Sequence, residues 1–257
     1  MPEFLHRRAD FSGLLRIIAE RDGITPTLVE KDYWIMHCLW GLKNQGFAFE
    51  LKGGTSLSKG FGIIKRFSED IDIRFEPPAE MEVKIGKNHD KDIHIESRRK
   101  FYEWLAAEID IPDVAASRAT EYDDEQLRSG GVRLNYETKA EELLGVKPGI
   151  LLEVGFDDTT PNTSLDISSW AMEVARAAKV DVIDNRAPGI LCYNSEFTFV
   201  EKLQAISTKF RKFRETGKIP SNFLRHYYDV HCLLEFDAVK NFIGTDTYEV
   251  RKKQRFP

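Results

Sequence analysis

Apolar residues recur every three or four positions in several stretches of the chain, which is typical of amphipathic helices. The first stretch should end at Asp22, and the second should begin at Pro26 with Thr25 as its N-cap. Thr198 and Glu201 have the spacing of a capping box at the start of a later helix. The predicted helices span residues 11–21, 26–43, 55–64, 93–109, 169–179, 200–213 and 221–236.

Other stretches alternate polar and apolar residues, or form short apolar runs between turn residues, as strands do. Residues 70–75 alternate strictly, so this strand should have one polar face. The runs that follow residue 115 are close together, and they predict an antiparallel extension of the sheet. The predicted strands span residues 47–52, 70–75, 117–124, 130–138, 149–158 and 189–193.

The order of these elements predicts an α+β fold, with a mixed or antiparallel sheet flanked by helices. After the last predicted strand, the chain contains only predicted helices. We therefore expect one domain over residues 1–195, which includes the two N-terminal helices. A helical C-terminal region over residues 196–257 should complete its functional site.

The composition of this 257-residue chain is that of an ordinary globular protein, with 42% hydrophobic and 31% charged residues. Its net charge of −5 argues against a protein that coats nucleic acid, although residues 202–218 carry six Lys or Arg against one acidic residue. Three distant cysteines argue against a disulfide framework and favour a reducing cytoplasm. The chain has no apolar run of about 18 residues and no signal-peptide pattern at its start, so we expect no membrane partner.

The clearest chemistry lies in residues 52–72, which read KGGTSLSKGFGIIKRFSEDID. A glycine pair lets the backbone approach a ligand closely, and the helix expected to follow it offers unpaired N–H groups to an anion. Hydroxyl and amine side chains surround the pair. This end of the stretch predicts a site for the phosphates of a nucleotide, formed by Lys52, Gly53, Gly54, Thr55, Ser56 and Lys59.

Asp70 and Asp72 close the same stretch, on one face of a strand. Two carboxylates this close repel each other unless a cation lies between them, and Mg²⁺ prefers carboxylates combined with substrate phosphates. A two-metal site usually needs a third carboxylate. Glu153 is the candidate because it interrupts the most apolar strand of the chain, while Asp157 and Asp158 are alternatives at the end of that strand.

The glycine pair and the Asp-x-Asp strand resemble the nucleotidyltransferase signature of the DNA polymerase β-like superfamily. Within that superfamily, the sequence motif GGTSLSK…RFSEDID is similar to that of the AbiEii/AbiGii toxin family, the toxins of abortive-infection toxin–antitoxin pairs. Three further blocks resemble that family: EKDYWI from residue 30, TFVEKLQAI from residue 198 and RHYYDV from residue 225.

The resemblance implies a nucleotidyltransferase fold and a transfer, dependent on Mg²⁺ or Mn²⁺, of a nucleotide from an NTP to an acceptor. RNA such as the acceptor end of tRNA is one acceptor, and a cognate antitoxin protein is the usual partner. By position, Lys202 should lie near the triphosphate or base. Asp229 ends a block that usually reads Arg-Asp-x-x-Asp, and His226 stands at its first acidic position. The resemblance also leads us to expect further helix after residue 255.

Several candidates also have ordinary structural interpretations. Arg66 could contact phosphate, or it could neutralise Glu69. Lys202 could be a surface lysine in the first turn of a helix. Asp229 could form an ion pair with Arg225, one helical turn away.

Alternatives stay open for the C-terminal basic run and for the whole protein. The run KFRKFR at residues 209–214 could follow an RNA backbone, but the polar face of a helix with core phenylalanines is favoured. The protein could be a catalytically silent module that binds an antitoxin or RNA. It could also be a transferase that modifies a protein side chain.

Overall fold

A seven-stranded mixed sheet forms the centre of the protein, whose computed structural model describes residues 1–86, 88–141, 143, 145–220 and 222–256. The order of the strands is β3-β4-β5-β2-β1-β7-β6. Strand β2 pairs parallel with β5, and β1 with β7, whereas the other neighbours are antiparallel. In chain order, the strands β1 to β7 are Phe49–Lys52, Asp70–Phe75, Val114–Ala119, Ser129–Tyr136, Ile150–Gly155, Asn162–Ile167 and Ala187–Tyr193.

The described residues also form nine helices, four of which follow the last strand. A wide π-helical turn, Ser56–Gly60, continues the third helix. In chain order, the helices α1 to α9 are Phe11–Asp22, Pro26–Asn44, Gly53–Thr55, Asp92–Glu108, Trp170–Ala177, Ser195–Thr216, Phe223–Leu234, Asp237–Phe242 and Asp246–Arg255.

The main hydrophobic core lies between one face of the sheet and the helices α1, α2, α4 and α5. Helix α2 is the central element, because every residue from 29 to 39 is buried. In β2, alternate residues Ile71, Ile73 and Phe75 point into this core. Since successive side chains of a strand point to opposite faces, Asp70 and Asp72 lie on the other face.

A second, smaller apolar cluster joins the C-terminal helices to the segment between β1 and β2. Leu57 and Ile64 come from that segment, and they pack with residues of α6, α7 and α8 such as Val200 and Leu233. The cluster holds the start of α6 beside the turn that follows β1.

The structure confirms the predicted α+β fold with a mixed sheet, although some elements are displaced. The strand predicted at 117–124 is found at Val114–Ala119, because the next three residues form a 3-10 turn. The helix predicted from Thr55 begins two residues earlier, at Gly53. Sequence analysis missed β6, which has few apolar residues, and the short helices α8 and α9.

Two predicted helix caps differ from the structure. Thr25 precedes α2 as expected, but its hydroxyl has no hydrogen-bond partner among the described residues. The capping box of Thr198 and Glu201 is wrong, because α6 begins at Ser195 and both residues lie inside it.

The C-terminal part of the chain is helical, as predicted. The last predicted helix corresponds to α7, which begins at Phe223, and its predicted first residue, Ser221, lies outside the described residues. Within the part of the chain that the structure describes, no helix is both long enough and apolar enough to cross a membrane.

Two glycines in helices provide a test of the core packing around α2. A Cβ on Gly41 would lie 2.7 Å from two carbon atoms of the buried Ile111 side chain. We expect Gly41→Ala to lower the free energy of unfolding by about 1–3 kcal/mol, because overpacking costs more than the helix propensity gained. Urea denaturation followed by circular dichroism measures this change.

Gly13 in α1 is the matched control, because no described atom outside its own helix backbone lies within 4 Å of an added Cβ. Gly13→Ala should raise the free energy of unfolding by about 0.5–1 kcal/mol. Equal effects of the two substitutions would contradict the packing described for Gly41.

Candidate active site

Three strands at the centre of the sheet bring Glu153, Asp72 and Lys52 into one row. Asp72 of β2 pairs with Glu153 of β5 on one side and with Lys52 of β1 on the other. Neighbouring strands lie about 4.8 Å apart, and directly paired residues point to the same face. Asp70 lies on this face as well, two residues before Asp72. The structure therefore brings together the three carboxylates predicted to hold metal, on the face opposite the core. We call Asp70, Asp72 and Glu153 the carboxylate row.

The glycine pair lies between this row and Arg66. Gly53 has a φ of +71°, and a Cβ on it would lie 2.1 Å from Oδ2 of Asp72. A Cβ on Gly54 would lie 2.5 Å from Oγ of Ser68 and 3.1 Å from Nη2 of Arg66. Only glycine fits both positions, because any side chain would collide with the residues that flank the turn.

The two hydroxyls predicted to hold phosphate point into the protein. Thr55 is buried and donates its only hydroxyl proton to the carbonyl oxygen of Asp70, at 2.6 Å. Ser56 is fully buried against Cys192. Thr55 thus ties the turn to the start of β2, while the Ser56 hydroxyl is buried.

The two predicted phosphate-binding lysines have different surroundings. The Nζ of Lys59 lies 2.5 Å from Oδ1 of the buried Asp32 and 4.2 Å from the centre of the Trp170 ring. Lys52 extends across β2 on the carboxylate face, with its Nζ 3.8 Å from the position of a Cβ on Gly155. Lys52 thus reaches across the face that carries the carboxylates, whereas Lys59 is held by an ion pair with Asp32.

Burial and like charge raise the pKa of two carboxyl groups in the row, Glu153 and Asp70. Burial, followed by the charges of Asp72 and Asp70, raises the pKa of Glu153 to about 7. Burial also raises the pKa of Asp70, although a salt bridge from Lys147 opposes this effect. The Oδ1 atom of Asp70 is buried without a hydrogen-bond partner among the described residues. The row is therefore short of positive charge.

These carboxylates fit a hard divalent cation. Carboxylates that converge without enough counter-charge are expected to have raised pKa values and oxygens without partners. Glu153 shows the first feature and Oδ1 of Asp70 shows the second. Across the described ranges, no three His, Cys, Asp or Glu side chains form a ready-made metal cage. Mg²⁺ commonly binds one or two carboxylates and completes its shell with substrate phosphates. Asp70 and Asp72, with Glu153 beside them, are the residues that would hold it.

Arg66, Asp229 and Lys202 form an ion cluster on the other side of the glycine turn. Arg66 donates from Nε and Nη2 to the two carboxylate oxygens of Asp229, at 2.6 and 2.8 Å. The Nζ of Lys202 lies 3.0 Å from Oδ2 of Asp229. Burial would raise the pKa of Asp229, but the hydrogen bonds from Arg66 and the charge of Lys202 outweigh it, and the pKa is lowered.

This cluster replaces the ion pairs considered from the sequence. Arg66 pairs with Asp229 instead of Glu69, and the described ion pairs do not join Asp229 to Arg225. Lys202 is only 12% exposed at its side chain, so it is not an ordinary surface lysine. The cluster connects α6 and α7 to the segment between the glycine pair and β2.

His226 lies in the RHYYDV block, at the position where the family pattern has its first acidic residue. It is a buried neutral residue. Neither ring nitrogen has a hydrogen-bond partner within the described part of the chain. Burial, followed by the charges of Lys202 and Arg225, lowers the pKa of His226 to about 4. The side chain is therefore uncharged at neutral pH.

The other acidic candidates have structural partners. Asp157, at the end of β5, lies 3.5 Å from Arg255, and Asp158 accepts a hydrogen bond from Thr160 at 2.6 Å. Glu201 accepts a hydrogen bond from Arg255 at 2.5 Å. These contacts fasten α9 to the end of β5 and to α6, which favours Glu153 as the third carboxylate.

The basic run on α6 was interpreted as the polar face of a helix whose phenylalanines lie in the core, but it is more exposed than that. Phe210 is 45% exposed, so its interpretation as a core residue is wrong. Arg211, Lys212 and Arg214 are exposed as well. This end of α6 presents both cations and an aromatic ring to solvent.

Sequence analysis gave no chemical role to the three consecutive charges at the start of α2, yet each is at most 1% exposed. All three form hydrogen bonds or ion pairs with segments between strands and helices near the carboxylate row. Glu30 binds residues 138–140. Lys31 binds Glu69 and Lys147, and Asp32 binds Lys59 and Trp170. A signal was present, because three adjacent charges in an otherwise apolar helix cannot all face solvent.

Comparison with known proteins identifies a family. The family model described as the nucleotidyl transferase AbiEii toxin of type IV toxin–antitoxin systems matches residues 40–255. This range contains the glycine pair, the carboxylate row and the C-terminal helices, while the EKDYWI block precedes it. A search of curated proteins found no match.

Two solved structures are similar to this one. The crystal structure of JHP933 from Helicobacter pylori has 15% sequence identity and a TM-score of 0.45, and the match covers 89% of this chain and 73% of that chain. An antigenic nucleotidyltransferase-like protein from Paracoccidioides brasiliensis has 12% identity and a TM-score of 0.40, over 88% of this chain and 87% of that chain.

The raised pKa of Glu153 leads to a prediction about stability and pH in the presence of EDTA. Because the folded protein holds this proton up to about pH 7, against an ordinary value of 4.5, stability should fall as pH rises between these values. Glu153→Gln removes the free-energy cost of ionising Glu153 in the folded protein. The variant should be more stable than the wild type by about 2 kcal/mol at pH 8, and nearly equal to it at pH 5.

Urea denaturation at the two pH values measures this difference. Glu103→Gln, which changes an exposed carboxylate on α4, is the control and should show little difference at either pH. If Glu153→Gln stabilises the protein equally at pH 5 and pH 8, the pKa of Glu153 is not raised by burial and by the charges of Asp72 and Asp70.

Proposed function

We propose, since the chain belongs to the AbiEii family of nucleotidyl transferase toxins, that it moves a nucleotide from an NTP to an acceptor hydroxyl with the help of Mg²⁺ or Mn²⁺. The observation that carries this proposal is the row of Asp70, Asp72 and Glu153 next to the glycine pair. Three carboxylates that lack counter-charge, beside a turn that admits no side chain, suit a metal ion and the phosphates that share it.

In this proposal, Asp70 and Asp72 hold the metal, and Glu153 completes the set on the side of β5. A bound divalent cation would neutralise charge on the phosphates and lower the pKa of the attacking hydroxyl. The acceptor hydroxyl loses its proton to water, and its oxygen forms a bond to the α-phosphorus. The bond from the α-phosphorus to the oxygen shared with the β-phosphate breaks, and pyrophosphate leaves. The backbone of Gly53 and Gly54 provides the close approach that the triphosphate needs.

The cations on the other side of the turn suit the departing pyrophosphate. Lys202 uses one of its three N–H groups on Asp229, so two remain for phosphate oxygens. Arg66 lies beside Gly54, and its two bonds to Asp229 fix the guanidinium there. Lys52 adds a third cation from the side of β1. Asp229 is thus a positioning residue for Arg66 and Lys202.

RNA, such as the acceptor end of tRNA, is the acceptor that the exposed surface of α6 favours. Arg211, Lys212 and Arg214 suit a polyanionic backbone, and the exposed ring of Phe210 suits base stacking. Since the family consists of toxins of type IV toxin–antitoxin systems, a cognate antitoxin protein is the expected partner.

Incubation with each of the four labelled NTPs, Mg²⁺ and total RNA tests the proposed activity. We expect label in RNA, and Asp72→Asn should reduce the labelling rate at least about 100-fold, because it removes a charge that holds metal at the reacting phosphate. Asp157→Asn is the matched control at the end of β5 and should stay within about threefold of the wild type. Equal rates for Asp72→Asn and the wild type would refute the assignment.

The same assay separates the alternative functions. A catalytically silent module labels nothing and gains no thermal stability from Mn²⁺ with an NTP, whereas an enzyme should gain stability by mass action. A transferase that modifies a protein side chain would place the label in protein, and mass spectrometry of the product would identify the added group.

The contribution of α6 to acceptor binding is testable with a charge variant. Replacing Arg211 and Lys212 by Gln should raise the KM for RNA about 3–10-fold and reduce its dependence on salt, because fewer phosphate contacts release fewer counterions. The KM for NTP should not change. Lys100→Gln on α4 is the control for general charge. An unchanged KM for RNA would place the acceptor elsewhere.

A further inference from the structure

Lys147 lies in the connection before β5, and its amine occupies the metal-binding side of the carboxylate row. The Nζ of Lys147 lies 2.9 Å from Oδ2 of Asp70, and the same amine lies 5.2 Å from the centre of the Tyr122 ring. The Lys147 side chain is 34% exposed, whereas that of Asp70 is only 14% exposed. A partly exposed lysine thus neutralises a carboxylate that the protein shields from water.

We propose, building on the proposed function, that Lys147 is a stand-in cation that holds Asp70 when no metal is bound and that competes with the metal for this carboxylate. Three features of the structure support the proposal. They are the way in which the backbone of Lys147 is held, the incomplete neutralisation of the row, and the freedom of the lysine side chain.

The backbone of Lys147 is fixed by a partly buried ion pair between Lys31 and Glu69. Lys31, which is 1% exposed, donates from Nζ to the carbonyl oxygen of Lys147 at 2.6 Å and to Oε2 of Glu69 at 3.2 Å. The same Oε2 accepts a hydrogen bond from the backbone N–H of Lys147 at 3.2 Å. Since Glu69 immediately precedes Asp70, this clamp keeps the start of β2 and the Lys147 backbone in one fixed relation.

The far end of the same connection is fixed too. Glu30 accepts hydrogen bonds from the backbone N–H groups of Lys139 and Ala140, at 2.6 and 3.1 Å, and from the hydroxyl of Thr138 at 2.6 Å. Adjacent charges of α2 thus anchor the connection at residues 138–140 and at Lys147 itself. The clamps act on the backbone, so the four-carbon side chain of Lys147 is still able to leave Asp70 without a change in the fold.

A single amine does not satisfy the carboxylate row. Only Oδ2 of Asp70 is paired, while its Oδ1 is buried with no partner in the described ranges. Asp72 and Glu153 lie next to each other on paired strands, without a described salt bridge to Lys147. A divalent cation brings twice the charge and accepts several oxygen ligands, so it should displace the amine from Asp70.

The experiment that tests this inference measures metal binding without nucleotide. Mn²⁺ is titrated into the full chain, and free Mn²⁺ is followed by electron paramagnetic resonance. Lys147→Met should bind Mn²⁺ about 5–10-fold more tightly than the wild type, because a competing positive charge is gone. Lys147→Arg, which keeps a cation on Asp70, should bind within about twofold of the wild type. An ordinary structural salt bridge would give the opposite sign for Lys147→Met, since its loss would weaken the site.

Two controls identify the site of binding. Asp70→Asn should weaken Mn²⁺ binding more than about tenfold, which places the ion on this carboxylate. Lys139→Met, in the same connection but paired with the exposed Glu137, should have little effect. If Lys147→Met does not fold, as judged by circular dichroism, Lys147→Gln replaces it.

The inference is overturned if Lys147→Met binds Mn²⁺ equally or less tightly, if Lys139→Met has the same effect, or if Asp70→Asn has none. The titration is independent of catalysis. A wild-type protein that binds Mn²⁺ in this Lys147-dependent way but transfers no nucleotide would refute the proposed function and leave this inference standing.

Discussion

The repulsion among Asp70, Asp72 and Glu153 is the constraint on which the arrangement of this protein depends. Sheet geometry sets it, because the register of β2 and β5 places Asp72 directly beside Glu153, and the alternation of β2 places Asp70 on the same face. The apolar residues between them are locked into the core, so the carboxylates cannot separate without unfolding the sheet. Two features offset the repulsion. Burial and like charge raise the pKa of Glu153 to about 7, and Lys147 forms a salt bridge with Asp70.

The buried charges of α2 extend this arrangement to the surrounding connections. Burying a charge costs free energy unless hydrogen bonds and an opposite charge satisfy it. Lys31 and Asp32 each have an opposite charge and hydrogen bonds, whereas Glu30 is satisfied by three hydrogen bonds, and each of the three residues contacts a different loop near the row. One turn of a central helix therefore positions the loop before β5, the residue before Asp70 and the π-helical turn after the glycine pair. Loss of any one partner would leave a buried charge unsatisfied, which ties the geometry of the site to the stability of the core.

The parts of the site that sequence analysis predicted are local. The glycine pair is separated from Asp70 and Asp72 by fewer than twenty residues, and a strand with strict alternation fixes which side chains share a face. Glu153 was predicted because a charge inside an apolar strand needs a partner. Lys147 was missed because it lies in a connection without periodicity, and its contact with Asp70 depends on the clamp of Lys31 and Glu69. The bond of Arg66 to Asp229 joins residues 163 positions apart, whereas the local pattern offered only Arg225, one helical turn away, as an alternative partner.

That bond also determines the charge on the C-terminal side of the site. Asp229 balances only one of its two cations, Arg66 and Lys202, so the cluster retains about one positive charge. An acidic residue at position 226 would cancel it, whereas His226 is neutral because burial and its basic neighbours lower its pKa to about 4. The two sides of the glycine turn therefore carry opposite charge, negative at Asp70 and Asp72 and positive at Arg66 and Lys202. A ligand that is itself anionic but carries a divalent cation at one end matches both sides at once, which is the charge pattern of a metal-bound nucleoside triphosphate. A neutral residue at position 226 thus preserves the difference in charge between the two sides of the turn.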